Sequence, residues 1–246
     1  MSAGPSPVGA MFGRIAGVYD FLNHALSLGI DRRWRAELAD LCVWRGGLPL
    51  LDLAAGTLDV ALALHRKFPE ADIAAVDFCR PMLERGLGKL KTESIKRRIA
   101  PLEGDALELP ARDGSFGCAT IAFGIRNIPD RPRAFREILR VLAPGGRLCV
   151  LEFGSGKERV WGGLYNFYLD RILPRIGRAV ARDKDAYAYL AETIDAFPSA
   201  PALAREMREA GFAGESYRKL TGGIVCLHWG EKPEPGRTSG ASGSQI

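Results

Sequence analysis

The sequence is short of the residues that build covalent or metal frameworks. Its 246 residues include only five cysteines and three histidines. Cys42, Cys79, Cys118, Cys149 and Cys226 are widely spaced, odd in number and free of any C-x-x-C pair. A disulfide scaffold or zinc site is therefore not expected, and a reducing compartment is. His24, His65 and His228 are too scattered to suggest a metal cluster. No apolar run reaches the length of a membrane helix and no signal peptide opens the chain, so a cytoplasmic chain is expected. The G-x-G-x-x-G fingerprint is also absent, which argues against a dinucleotide held on a strand–turn–helix unit.

What is present describes an ordinary globular chain, 47% apolar and 26% charged, long enough for one substantial core. The Gly/Pro/Ser-rich start (1–10) and the polar end (233–246) are expected to be disordered, leaving 11–232 as one domain. The net charge of +5 concentrates in Asp31-Arg-Arg-Trp-Arg35, Lys89 to Lys91, Lys96-Arg-Arg98 and Arg171 to Arg182. Such clusters fit solvated helix faces, or a surface facing anionic phospholipid or nucleic acid.

Periodicity gives the architecture. Residues 11–47 have helical spacing, with Gly29 breaking the region before a helix containing Trp34, Leu38 and Leu41. Strands are expected at Leu50 to Ala54, Ile73 to Asp77, Ile99 to Glu103, Cys118 to Phe123 and Arg147 to Phe153. Helices are expected between them at Asp59 to Phe68, Arg80 to about Leu90 and Pro132 to Leu142. This alternation implies an α/β fold with a parallel, doubly wound, Rossmann-like sheet. An aromatic helical insertion (155–200) follows strand five. A helix at Ala202 to Ala210 and a terminal hairpin turning at Gly222-Gly223 complete the pattern.

The first strand–turn unit carries the chemistry. Leu51-Asp-Leu-Ala-Ala-Gly-Thr-Leu-Asp59 runs from an apolar strand into a small-residue turn, and Ala74-Ala-Val-Asp77 ends the next strand on an acid. A nucleotide-like cofactor lies across such a turn in open α/β sheets, with the acid on its ribose. Asp52 would repel a pyrophosphate but suits a cofactor bearing an ammonium and a sulfonium, which reads as S-adenosyl-L-methionine.

With these residues in view, the chain resembles the UbiE/MenG family of demethylmenaquinone and polyprenyl-benzoquinol methyltransferases. The resemblance rests on Met11-Phe-Gly-Arg-Ile-Ala-Gly-Val-Tyr-Asp-Phe-Leu-Asn23, Leu28-Gly-Ile-Asp-Arg-Arg-Trp-Arg35 and Ile121-Ala-Phe-Gly-Ile-Arg-Asn-Ile-Pro-Asp130. It extends through Val141 to Arg147, Leu151-Glu-Phe153, Tyr187 to Ile194 and Gly223 to His228. It implies a class I methyltransferase sheet with an N-terminal helical lid (11–47), acting on a ring carbon of a prenylated quinol. Two positions depart from the family pattern. Leu58 stands where the turn usually has glycine, and Ala122 where some relatives have serine. Leu58 is expected to restrict the turn and to crowd the methionyl end of the cofactor.

Each candidate residue has a functional and a structural reading. Gly56 and Thr57 would meet the cofactor carboxylate at a helix N-terminus, or form a tight turn with Thr57 as N-cap. Asp77 would accept both ribose hydroxyls, or cap its strand. The resemblance places Asp105 and Ala106 against the adenine, while turn chemistry alone explains a Gly-Asp pair. Met82, one turn into the helix after Asp77, would lie against the adenine, or pack as a core methionine. Arg126 and Asn127 leave strand four, where Arg126 would stabilise a quinol oxyanion or orient a water. Tyr19 and Asp20 would close over the ring, and Trp161, Tyr165, Phe167 and Tyr168 would line a channel for an isoprenoid tail. Transient contact with the inner membrane surface is expected, nucleic acid is not, and neither the oligomeric state nor the choice between naphthoquinol and benzoquinol is readable. A nicotinamide reductase, an RNA methyltransferase and a cofactor-binding protein with impaired catalysis are the competing classes.

Overall fold

The computed structural model describes residues 29–154 and 196–235, together with Met11, Gly13, Arg14, Ser27, Thr193 and Ile194. Tyr19, Asp20, His24 and the aromatic channel residues lie outside the described residues. Among the described residues, seven strands form one sheet in the order β3-β2-β1-β4-β5-β7-β6. They are β1 (Leu50–Leu53), β2 (Ile73–Asp77), β3 (Ile99–Glu103), β4 (Phe116–Ala122), β5 (Leu142–Phe153), β6 (Ala213–Leu220) and β7 (Val225–Glu231). β1 to β5 run parallel, and β7 pairs antiparallel with both β5 and β6. The α/β alternation read from the sequence is thus a Rossmann-like sheet closed by a hairpin.

The helices are α1 (Asp31–Leu41), α2 (Asp59–Lys67), α3 (Arg80–Leu87), α4 (Glu93–Arg98), α5 (Arg131–Val141) and α6 (Ala200–Glu209). α5 shows how sequence sets an element. The Asp130 carboxylate accepts from the Arg133 amide at 3.0 Å, Pro132 sits in the first turn, and Ala134, Phe135, Ile138 and Val141 form one buried stripe. Burying Phe135 and Ile138 contributes roughly 1.5–3 kcal/mol each. α4 was not legible as a helix: six residues, none buried, give no periodic signal.

Two clusters pack the two faces of the sheet. One gathers Trp34, Leu38, Leu50, Leu58, Leu64 and Ile73 with α1 and α2. The other gathers Leu51, Leu53, Phe135, Ile138, Leu203 and Met207 with α5 and α6. All four β1 residues are buried, although Asp52 is one of them. Side chains alternate along a strand, so Asp52 shares the Leu50 face, toward α2. Strand order reverses between β1 and β4, which opens a crevice at their carboxyl ends.

Candidate active site

The crevice is built by strained, closely apposed turns. Among the described residues, four non-glycine residues take positive φ, and three of them (Ala54 at 50°, Leu58 at 67°, Phe123 at 55°) lie at the exits of β1 and β4. Such conformations cost of order 1–3 kcal/mol each and collect where backbone is being aimed at something. Gly124 packs so tightly on the Ala54 methyl that any side chain there would collide with it. A Cβ on Gly56, whose φ is 52°, would meet the Met82 methyl at 3.6 Å.

Leu58 settles one expectation in an unexpected way. It is the N-cap of α2, completely buried, and its side chain enters the core rather than the crevice. A Cβ on Gly86 would lie 2.6 Å from its Cγ, so the leucine occupies space that this glycine leaves. Crowding is directed at α3, and the N-cap reading of Thr57 does not hold. The Thr57 hydroxyl instead accepts from Lys89 Nζ at 2.9 Å, and the same ammonium meets Asp59 at 2.6 Å. Arg35, paired with Asp31, approaches the other Asp59 oxygen at 3.8 Å.

The acids divide by environment. Asp77 is buried, accepting from the Gly56 amide through Oδ2 and from the Cys79 amide through Oδ1, both at 2.7 Å. Burial pushes its pKa above the usual carboxylate range, and the Cys79 and Gly56 amides pull it back by favouring the ionised form. Each carboxylate oxygen has a second lone pair, so two acceptor positions remain. Asp105 follows β3, where the Gly104 amide bonds to the Asp77 carbonyl at 3.0 Å, and is exposed, its carboxylate accepting from the Leu107 amide at 2.9 Å. Ala106 is half-buried next to it.

Asp52 is fully buried, and Thr120 donates to its Oδ1 at 2.8 Å. Among the described residues its Oδ2 has no partner. Burial pushes its pKa up to about 7 against the pull of the Thr120 hydroxyl and the Ala61 amide in the first turn of α2. A cation beside that oxygen would return it to the ionised form.

Arg126 and Asn127 form the single turn (Ile125–Asn127) after β4. Arg126 is buried against Glu152 at the end of β5, with Nη1 2.6 Å from Oε1 and side chains 5% and 0% exposed. Glu152 also accepts from the amides of Phe153 (2.9 Å) and Arg126 (3.4 Å). Arg126 Nε and Asn127 Oδ1 are buried without partners. Five buried side-chain polar atoms lack a partner among the described residues, and these two plus Asp52 Oδ2 are three of them. Buried polar groups are nearly always satisfied, so their occurrence on β1 and just after β4, the two strands that frame the crevice, fits a polar ligand.

Sequence reading missed Glu152 and an aromatic wall. Phe123 lies 4.8 Å from Phe153 and 6.3 Å from Trp34, centroid to centroid. The guanidinium groups of Arg35 and Arg126 lie over Phe123 and Phe153 at 5.8 and 5.3 Å. Phe123 and Phe153 are half-buried, leaving ring surface beside Arg126. An acid within an apolar strand was the available signal for Glu152, but only the β4–β5 register, Ala122 against Leu151, brings it under Arg126.

The model of the ubiE/COQ5 methyltransferase family matches residues 1–232. The chain belongs to that family. A demethylmenaquinone methyltransferase of Thermus thermophilus is 44% identical over 91% of this chain and 100% of its own length. A ubiquinone/menaquinone biosynthesis C-methyltransferase UbiE of Idiomarina loihiensis is 39% identical over 92% of this chain and 90% of its own. Solved structures confirm the fold at lower identity. The [4+2]-cyclase SpnF superposes with TM-score 0.65 at 19% identity, covering 92% of this chain and 95% of its own. A SAM-dependent methyltransferase of Thermotoga maritima, described as a possible histamine N-methyltransferase, gives 0.62 at 20%, covering 90% and 99%. A cyclase and a methyltransferase on one fold show why the family membership, and not the fold, directs the functional reading. No helix among the described residues is long and apolar enough to cross a membrane.

Proposed function

We propose that the chain methylates a ring carbon of demethylmenaquinol, with S-adenosyl-L-methionine as donor. The observation carrying this reading is the set of unsatisfied buried atoms on Asp52, Arg126 and Asn127, in a chain of this family. When bound, the donor supplies an electrophilic methyl group on a sulfonium. Asp52 Oδ2 would take the cationic methionyl end, and Gly56 and Thr57 its carboxylate at the start of α2. Asp77 offers its two remaining acceptor positions to the ribose, and Asp105 and Ala106 border the adenine.

The acceptor carbon becomes nucleophilic when a neighbouring phenol loses its proton, and a free phenol has a pKa of about 10. Arg126 cannot take that proton at ordinary pH. Its pairing with Glu152 fixes the guanidinium plane and leaves Nε–H uncommitted, so that group stabilises the phenolate. Asn127 Oδ1 accepts from a water or from the second quinol hydroxyl. Phe123 and Phe153 supply an apolar face for the ring. By the family resemblance, Tyr19 would serve as a hydrogen-bonding partner of the quinol. The prenylated substrate brings the protein to the inner membrane surface transiently, through its basic residues.

The test incubates purified protein with methyl-labelled donor and reduced demethylmenaquinone. A C-methylated naphthoquinol is expected; an O-methyl ether or no transfer overturns the reading. The UbiE relatives favour one second reading, C-methylation of a 2-polyprenyl-6-methoxy-1,4-benzoquinol. Running both head groups in parallel decides between them.

A further inference from the structure

The opposite end of the central strands carries a cluster that the reaction does not use. Cys42 follows α1, Cys118 lies near the start of β4, and Cys149 lies on β5. Cys118 pairs with Arg147 and Thr120 with Cys149, so both cysteines project from one face of neighbouring strands, two residues out of register. Cys42 packs on the same face within the same cluster. The three sulfurs all lie within 4.8 Å of one another, and the residues are 4%, 1% and 0% exposed. All are free thiols. Wide spacing along the chain hid this meeting, because the sheet register and the end of α1 produce it.

We propose that Cys42, Cys118 and Cys149 form a three-sulfur site for a soft, low-coordinate metal ion, monovalent copper being the ion its chemistry selects. Three thiolates around one ion at about 2.3 Å would stand about 4.0 Å apart, so the sulfurs need to close by less than about 1 Å. Sulfur donors select soft ions. Zinc in a structural site takes four ligands, and among the described residues no fourth cysteine, histidine or carboxylate joins the group. Arg147 brings a positive charge to the cluster. It is the Cα partner of Cys118, and its guanidinium donates to the Leu41 carbonyl, next to Cys42, at 3.0 Å. The same guanidinium is ion-paired with Glu231 at 2.5 Å, so its charge is shared between that carboxylate and the sulfurs.

Binding is ligation without redox change. Copper stays monovalent, each S–Cu bond replaces an S–H bond, and each proton released goes to solvent. Entry passes by the chain around Cys42, where α1 has ended and Val43 is exposed, so loading is slow. The proposal stands apart from the methyl-transfer reading, since the site lies at the far end of β4 from Arg126.

The test mixes the full-length reduced protein, without oxygen, with monovalent copper held by bicinchoninate. One copper per chain is expected to leave the chelator, with ultraviolet thiolate-to-copper absorption and a raised Tm. X-ray absorption at the copper edge should give three sulfurs near 2.3 Å. Cys118→Ser and Cys149→Ser should each weaken binding at least tenfold, while Cys226→Ala leaves it unchanged. If a serine variant misfolds, the copper-edge spectrum of the unaltered protein still decides. No transfer to a folded chain, a two-sulfur or nitrogen/oxygen shell, preferential retention of zinc, or a Cys118–Cys149 disulfide as the only product would each overturn the proposal.

Discussion

Arg126 and Arg140 are both ion-paired, but the two regions that hold them follow opposite rules. On the outer side of α5, Arg140 uses all its donors on Glu137, Asp113 and the carbonyls of Leu109 and Ala111, in a setting one third exposed. At the crevice, Arg126 is almost fully buried, holds one carboxylate and leaves Nε without a partner. The first arrangement is saturated, and solvent at the exposed third of the arginine screens its pairs, so its loss is milder than that of a dry pair. The second is dry and incomplete, the condition in which a polar ligand gains most from the groups it meets. Saturation marks structure here, and incompleteness marks the place where another molecule is expected.

The largest test of that contrast removes each arginine. Arg126→Ala should destabilise the fold by about 3–5 kcal/mol, because Glu152 is left buried and unpaired. It should also lower turnover by roughly a hundredfold or more. Arg140→Ala should cost about 1 kcal/mol and leave turnover within about twofold. Urea denaturation and steady-state kinetics on both variants measure this; equal losses would erase the distinction.

Asp52→Asn should reduce donor affinity by about ten- to a hundredfold, or ~1.4–2.8 kcal/mol, measured by calorimetry. The same substitution should stabilise the ligand-free protein at pH 8. The Asp52 pKa is raised from 3.8 to about 7 on folding, so the stability tied to its protonated form is complete below about pH 4 and lost as pH rises through 7. Asparagine has no such loss. By the same sign, donor binding between pH 6 and 8 should release protons and tighten with pH. Calorimetry in buffers of different ionisation enthalpy detects this, and Asp52→Asn should abolish it.

The smallest effect on turnover is expected at Leu58. Leu58→Gly relieves a left-handed leucine, worth about 1–2 kcal/mol, but opens a cavity costing about 2–5 kcal/mol. A net loss of about 1–3 kcal/mol with unchanged turnover is expected from denaturation and kinetics. Activity appearing only in the glycine variant would instead favour the impaired-catalysis reading.

The sequence carried the parts of this molecule that depend on local order. β2 and β3 sit at the expected residues, and Gly56 and Asp77 meet through the bond that closes the turn. What it did not carry depends on register between distant strands. Glu152 reads as one acid in an apolar run until β5 lies beside β4. Trp34 and Phe153 read as core residues, yet they flank Phe123 from elements far apart in the chain. Leu58 was legible as a departure, but only its φ and the room at Gly86 show where its side chain goes.

That last pairing has a consequence for any attempt to rewrite the chain. Leu58 and Gly86 share one volume, so neither is an independent choice: a larger residue at 86 demands a smaller one at 58. Related sequences that restore glycine at the turn should accept alanine on the facing helix once the turn shifts by a few tenths of an ångström at Thr57, whereas those keeping leucine should not. Exchanging either segment alone between such relatives would produce a clash or a void, and exchanging both together would leave only the Thr57 backbone, 3.0 Å from a Cβ at 86, to give way.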